Sequence, residues 1–214
     1  DPHMAIGTNK CGNLPGMITS AVRFLRRGNV HLPSAAWSSL GAVAGAWIGS
    51  RLNLILPGDL LYYLMLVLIP VLAVFLLKKR DFGQEDNSDR FSPARLRTLS
   101  LAAGLVFGCY DGFFGPGAGT FLMLAFTGLC RFDLLTASGN TKLANSASNL
   151  ASLVTFAVAG KVMWAVGIPA ALCGIAGNFV GTSLALRGGA RVIRPMFFVV
   201  LALLMVRLVA DLLA

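Results

Sequence analysis

Six apolar runs, at residues 35–56, 60–77, 98–114, 137–159, 162–186 and 192–213, dominate this chain. Each approaches the roughly 17 to 25 residues with which a helix crosses a bilayer. Lipid cannot hydrogen-bond a peptide group, so apolar runs this long are stable there only as helices that satisfy their own backbone. The expected fold class is therefore all-α, a polytopic membrane protein. A charged fraction of 13% and a mean hydropathy of +0.74 agree, because soluble domains carry about a quarter charged residues. Two further runs, 4–25 and 117–130, are more polar or shorter, and they are the informative ones.

The net charge of +9 would point to nucleic acid in a soluble chain, but here the excess lies between apolar runs. Positive cytoplasmic loops account for it, so the expected partner is the lipid bilayer and no nucleic acid. Cys11, Cys109, Cys130 and Cys173 are isolated and lack metal-ligand spacing, and they read as small core residues. No metal or cofactor is expected. The chain opens on Asp1-Pro-His-Met without a basic and apolar leader, so no signal peptide is expected.

Setting Lys10 against Lys142, an offset of about 132 residues, exposes a gapless internal duplication. Gly7 meets Gly139, Asn13 meets Asn145, Ser20 meets Ser152, Phe24 meets Phe156 and Gly28 meets Gly160. Further on, Gly45 and Gly49 meet Gly177 and Gly181, keeping the small-residue spacing that lets membrane helices approach closely. Asp1 aligns with Asp133, so the counterpart of residues 97–132 is expected upstream, in a piece of at least roughly 35 residues. The first repeat is thus N-terminally incomplete.

Charge orients the two copies. Arg23, Arg26 and Arg27 make the first loop of the first copy basic, and the next loop, at 56–59, is not. In the second copy the first loop holds only Lys161, and the next carries Arg187, Arg191 and Arg194. The basic side has switched, so the copies are expected to be inverted across the membrane, the plan of many secondary transporters. Residues 1–77 form the first repeat, 78–97 a cytoplasmic linker with Lys78 and Glu85, and 98–214 the second repeat, its C-terminus facing outward.

The stretch Tyr110-Asp-Gly-Phe-Phe-Gly-Pro-Gly-Ala-Gly-Thr120 interrupts an apolar run with four glycines and a proline, which break a helix. The runs 98–114 and 117–130 are two crossing helices or a re-entrant hairpin, and the short second arm favours a broken hairpin. Such a break is tolerated in a membrane only within protein or around a wet cavity. N–H groups of the helix resuming after Pro116 make an anion site, to which Lys142 adds a full charge. On a helix starting near Ala137, Ser138, Lys142, Asn145, Asn149 and Ser152 fall on one face. The first copy keeps a thinner stripe in Lys10, Asn13 and Ser20, beside Thr8 and Asn9. Lysines near helix starts are unfavourable unless something negative is bound, and two meeting across a pseudo-twofold axis would attract one anion.

The bland alternatives are that these lysines snorkel to the interface, the asparagines hydrogen-bond helices together, and the glycines only pack. Asp111 is the one carboxylate well inside an apolar run. It could relay protons or couple an ion, pair with Lys142, or cap the backbone at the break. Arg51, Lys161 and Arg207 read as snorkelers and His31 as a loop residue.

The glycine-rich stretch, with Asn140-Thr-Lys-Leu-Ala-Asn145, Asn149-Leu-Ala151, Gly160-Lys-Val162, Arg187-Gly-Gly-Ala-Arg-Val-Ile-Arg-Pro195 and Ala5-Ile-Gly-Thr-Asn-Lys10, resembles the TauE/SafE sulfite-exporter family, also called toluene sulfonate uptake permeases. The resemblance implies passage of sulfite, sulfoacetate or other sulfonates across a bacterial inner membrane. Carried over by position, the ligand-contacting residues are the backbone at Gly115, Gly117, Gly119 and Thr120, with Asn140, Thr141, Lys142 and Asn145. In the first half they are Thr8, Asn9, Lys10 and Asn13. The expected function is secondary transport of a small anion. The alternatives are a membrane-embedded enzyme acting on a phosphate or lipid substrate, for which intramembrane glutamates and paired histidines are absent, and a passive anion channel. A homodimer is expected only from the general habit of such proteins.

Overall fold

The computed structural model describes residues 1–57, 86–189, 191–193, 195, 196 and 199. Six α-helices are described: α1 (Pro2–Arg26), α2 (Leu32–Ile55), α3 (Pro93–Phe113), α4 (Ala118–Gly128), α5 (Leu134–Val158) and α6 (Trp164–Gly188). A 3-10 turn at Ser88–Arg90 precedes α3, and no strand occurs among the described residues. The apolar run 60–77, most of 192–213, and Lys78, Glu85, Arg194 and Arg207 lie outside them.

Local chemistry sets the helix starts. Asp1 accepts from His3 N, and Asp133 from Leu135 N and Thr136 N, satisfying N–H groups that a first turn leaves unpaired. Ser92 caps α3 and Pro93 fills its first position, so the helix begins inside the stretch assigned by sequence to the linker. Asp133 likewise starts α5 before Ala137. Lys10 and Lys142 therefore stand more than two turns inside α1 and α5, beyond the reach of a helix-end dipole.

The two stretches aligned in the sequence begin their helices at corresponding positions. Helices α5 and α6 begin where α1 and α2 do after the same shift, and the turns between them use Gly28 at φ 71° and Gly160 at φ 69°. Gly7 sits against the Lys161 carbonyl, and the equivalent Gly139 against the equivalent Asn29 carbonyl. Helix α1 packs on α6 and α5, while α2 packs on α5 and α3. The start of α1 meets the end of α5, where Ile6, Cys11, Phe156 and Val162 cluster. Helix α1 runs alongside α6 in the same direction: Gly16 faces Gly174, and Ser20 faces Thr182. Arg23, Arg26, Arg27 and Arg187 consequently share one end of the molecule, and the exposed Asp1–Lys161 ion pair, at 2.8 Å, lies at the other.

What each helix buries distinguishes lipid from water. Helix α2 buries Ser34, Ser38, Gly41, Gly45, Gly49 and Asn53 and exposes Trp37, Leu40, Val43, Trp47, Ile48 and Leu52. In water that face would forgo about 25 cal/mol per Å² of apolar surface; in lipid it is the favoured arrangement. Among the described residues only α6 is both long and apolar enough to cross by composition alone. Small and polar faces turned inward dilute the hydropathy of the others, so the expectation of a self-sufficient span at each run is too simple. Length is adequate: 25 residues make about 37 Å of helix.

Helices α2 and α3 approach through interleaved glycines. A Cβ at Gly41, Gly45 or Gly49 would strike the carbonyls of Leu101, Leu105 or Cys109, and one at Gly104, Gly108 or Gly112 the backbone of Ser38, Ala42 or Ala46. This ladder holds the end of α3 in place. Helix α4 has 11 residues, about 16 Å, half a bilayer core. The chain after it returns to the segment preceding α3, with Asn87 N donating to Arg131 O at 2.9 Å.

Candidate functional site

The interruption between α3 and α4 is a pinned structure. A helix leaves its last four carbonyls without intrahelical donors, a severe penalty away from water. Here Tyr110 O accepts from Phe114 N and Gly115 N. The Lys10 ammonium donates to Asp111 O at 2.5 Å, Ser50 Oγ to Gly112 O at 3.2 Å, and Asn53 Nδ2 to Phe113 O at 2.7 Å. The Tyr110 hydroxyl then reaches Pro116 O at 2.6 Å. Gly115 at φ 98° and Gly117 at φ 81° occupy backbone conformations that side chains resist, so glycine is required at both. Gly117 caps α4 without a side-chain acceptor, and the N–H groups of Gly117 and Gly119 have no acceptor among the described residues.

Lys10 and Asp111 form a buried ion pair, 1% and 4% exposed, with Nζ 2.8 Å from Oδ1. Ser148 Oγ and Asn149 Nδ2 donate to Oδ2 at 2.5 and 2.9 Å. One carboxylate thus joins α1, α3 and α5, and each charge is matched and hydrogen-bonded, as burial demands. Asp111 pairs with Lys10 and not with Lys142. The negative partner that Lys10 needs is supplied by the protein, so the two lysines do not act as equal attractors of one anion.

A cavity of about 410 Å³ opens beside this pair, between α1, α3, α4 and α5. Lys10, Asp111, Gly115, Gly117, Gly119 and Thr120 line it, and so do Asn9, Asn13, Thr141, Lys142 and Asn145. Met17, Met123 and Pro116 add apolar wall. Thr8 and Asn140 lie elsewhere: Thr8 Oγ1 accepts from Met163 N at 3.0 Å, and Asn140 Oδ1 from His31 N at 3.0 Å, so both brace helix starts. His31 is more than a loop residue, since it caps α2 through Ser34.

The polar groups facing this space are incompletely engaged. Among the described residues Thr141 Oγ1 is buried without a partner. Lys142 has one hydrogen bond among the described residues, 3.3 Å from its Nζ to Asn178 Oδ1, leaving donor capacity free. The Asn145 amide crowds Gly119, where a Cβ would come to 2.6 Å, so glycine there keeps the α4 start open to the side chain. Unsatisfied donors around one space suit an anionic acceptor. Among the described residues no cluster of metal-ligating side chains occurs. The cysteines are free, and Cys173 is exposed on α6 where a core position was expected.

Sequence reasoning missed Asn178 and Thr182. Asn178 Oδ1 also accepts from Ser20 Oγ at 3.1 Å, and Ser20 Oγ lies 2.6 Å from Thr182 Oγ1. Two polar residues one turn apart in a helix long and apolar enough to cross a membrane are the signal that was available.

The model of the family described as sulfite exporter TauE/SafE matches residues 1–208. A probable membrane transporter protein, ORF9, of Sinorhizobium sp is 36% identical over 210 residues, covering 98% of this chain and 79% of that one. The probable membrane transporter protein YfcA of Escherichia coli K12 is 34% identical, with 98% and 77% covered. A probable membrane transporter protein of Haemophilus influenzae is 30% identical over 214 residues, with 98% and 81% covered. No solved structure matches the chain.

Proposed function

The chain belongs to the sulfite exporter TauE/SafE family and is a membrane transporter, and on that premise we propose that it carries a small sulfur oxyanion or organosulfonate through the cavity at the α3–α4 break. The observation that carries this reading is Lys142. Among the described residues it has no carboxylate partner, and it lines the same cavity as Gly117 and Gly119, whose N–H groups find no acceptor there. An ammonium about 4 Å from a unit negative charge contributes roughly 4 kcal/mol at an effective dielectric of about 20. Stripping water from the anion offsets much of that, so selection among anions falls to Thr120, Thr141, Asn145 and the α4 backbone, whose donors have fixed directions. Asn9 and Asn13, joined by a 2.8 Å hydrogen bond, complete the first-half wall.

Transport further requires the site to face each side in turn. We infer two inverted halves, with residues 93–132 a re-entrant hairpin. The meeting of the α1 start with the α5 end supports this, as do the shared arginine-rich end and the half-bilayer length of α4. The arginine-rich end is then cytoplasmic, in a bacterial inner membrane. Asp111 bridges the halves, and its protonation would weaken its hold on Lys10, which makes it the candidate for coupling.

An enzymatic alternative lacks a free base here, because both Asp111 oxygens are occupied. The test is counterflow of radiolabelled sulfite, thiosulfate and sulfoacetate in proteoliposomes. Saturable counterflow of one of them, lost in Lys142→Gln, is expected. Linear, unsaturable flux would instead indicate a channel, and no flux of any would refute the cargo class.

A further inference from the structure

Thr8 and Asn140, which turn away from the cavity, make matching contacts at opposite ends of the molecule. Near the Asp1–Lys161 end, Thr8 Oγ1 accepts from Met163 N at 3.0 Å. Near the arginine-rich end, Asn140 Oδ1 accepts from His31 N at 3.0 Å. The shift that sets Lys10 against Lys142 carries Thr8 onto Asn140 and His31 onto Met163. His31 and Met163 are the N-cap residues of α2 and α6, so each bond ties the turn of one half to the polar helix of the other. Beside each bond a glycine admits the turn: Gly7 lies against the Lys161 carbonyl and Gly139 against the Asn29 carbonyl, where a Cβ would collide. The two contacts flank the cavity. Thr8 precedes Asn9 and Asn140 precedes Thr141, both of which line it, and each stands two residues before a lysine of the wall, Lys10 or Lys142.

We propose that these contacts are the two gates of the transport cycle, Thr8 with Met163 closing the cavity toward one end and Asn140 with His31 toward the other, and that they release in alternation. This deepens the transport reading above and rests on its inverted halves. Thr8 and Asn140 are then positioning residues: they hold no anion and act through the helices that carry Lys10 and Lys142. Each gate depends on a single side-chain hydrogen bond, weak enough to open during turnover. The glycine beside it brings the turn close with no side chain to repack when the two part. The same roles account for the place of Thr8 and Asn140 in the repeated polar pattern although neither reaches the cavity.

The test places a reporter thiol in the cavity wall at Met17→Cys and measures its reaction with a small anionic methanethiosulfonate added to one membrane face at a time. The thiolate displaces a sulfinate and forms a mixed disulfide, and the same protein without the reporter gives the background from Cys109 and Cys173. The protein carries any natural segment that precedes residue 1. Thr8→Val and Asn140→Leu each remove one accepting oxygen at nearly equal side-chain size. Expected is a rise in labelling of about fivefold, the population shift that loss of one ordinary hydrogen bond produces, from one face in Thr8→Val and from the opposite face in Asn140→Leu. Thr8→Ser keeps the hydroxyl and should label as the parent does. A rise from both faces in either variant, as general loosening would give, overturns the proposal, and so does a rise from the same face in both or no change in either. If Asn140→Leu does not fold, Thr8→Val against Thr8→Ser decides alone. Failure of the transport reading is distinguishable: opposite-sided labelling in a protein that carries no anion leaves the gates standing and refutes the cargo.

Discussion

The Lys10–Asp111 pair gives the sharpest test of how the break is held. Lys10→Met keeps the side-chain volume and removes the charge. It strands the Asp111 carboxylate and takes from the Asp111 carbonyl the only donor it has among the described residues. Breaking one side of a buried ion pair costs about 3–5 kcal/mol. Ser148 and Asn149 still hold Oδ2, which favours the lower end of that range. For a chain of this size, roughly 2–4 °C per kcal/mol converts the loss to a fall in Tm of about 6–20 °C. Asp111→Asn should fall comparably by leaving the ammonium unmatched. The double variant should fall by less than the two singles combined, with a coupling of about 2 kcal/mol. The assay is thermal unfolding in detergent, followed by the fraction that remains monodisperse. Additive losses, or single-variant falls of less than about 2 °C, would refute the claim that this pair fastens α1 to the end of α3 and to α5.

Other expectations follow from the glycines. Gly108→Leu drives a side chain into the Ala42 backbone and should prevent assembly of α2 on α3, whereas Gly128→Ala, with open space around it, should change stability by no more than about 1 kcal/mol in the favourable direction. Gly117→Ala, at φ 81°, should lose about 1–2 kcal/mol from backbone strain, read as a Tm fall of a few degrees, because a Cβ resists that conformation. Tyr110→Phe removes the hydroxyl that pins Pro116 and should lower stability by about 1 kcal/mol, again read by thermal unfolding.

Sequence and structure coincide where a local rule decides. The matching helix starts were legible because two stretches of one chain keep the same turn glycines and capping aspartates. The break was legible because Gly115, Pro116 and Gly117 admit few backbones. The pairing of Lys10 with Asp111 was not, because the partners are 101 residues apart and several packings would satisfy the same stripe. The dipole argument for the lysines failed at the helix start: Ala137 opens the apolar run, but Asp133 caps the helix one turn earlier. Thr8 and Asn140 adjoin site residues in sequence, yet neighbouring residues on a helix point about 100° apart, and these two turn to the loops. Asn178 is a single amide in α6 outside the two aligned polar stripes, and only the fold brings Lys142 to it.

The central claim is that Lys142 and the start of α4 hold a sulfur oxyanion, and thermal protection by ligand tests it most directly. The purified protein, with any natural N-terminal extension present, would be heated against sulfite, sulfate, thiosulfate, sulfoacetate, phosphate and acetate, as wild type and as Lys142→Gln. A ligand at 100 times its Kd stabilises the folded state by about 2.7 kcal/mol, or roughly 5–11 °C here. The account predicts that rise for at least one sulfur oxyanion or sulfonate in the wild type and its loss in the variant. Equal protection of both proteins, or protection of neither by any of these anions, would contradict it.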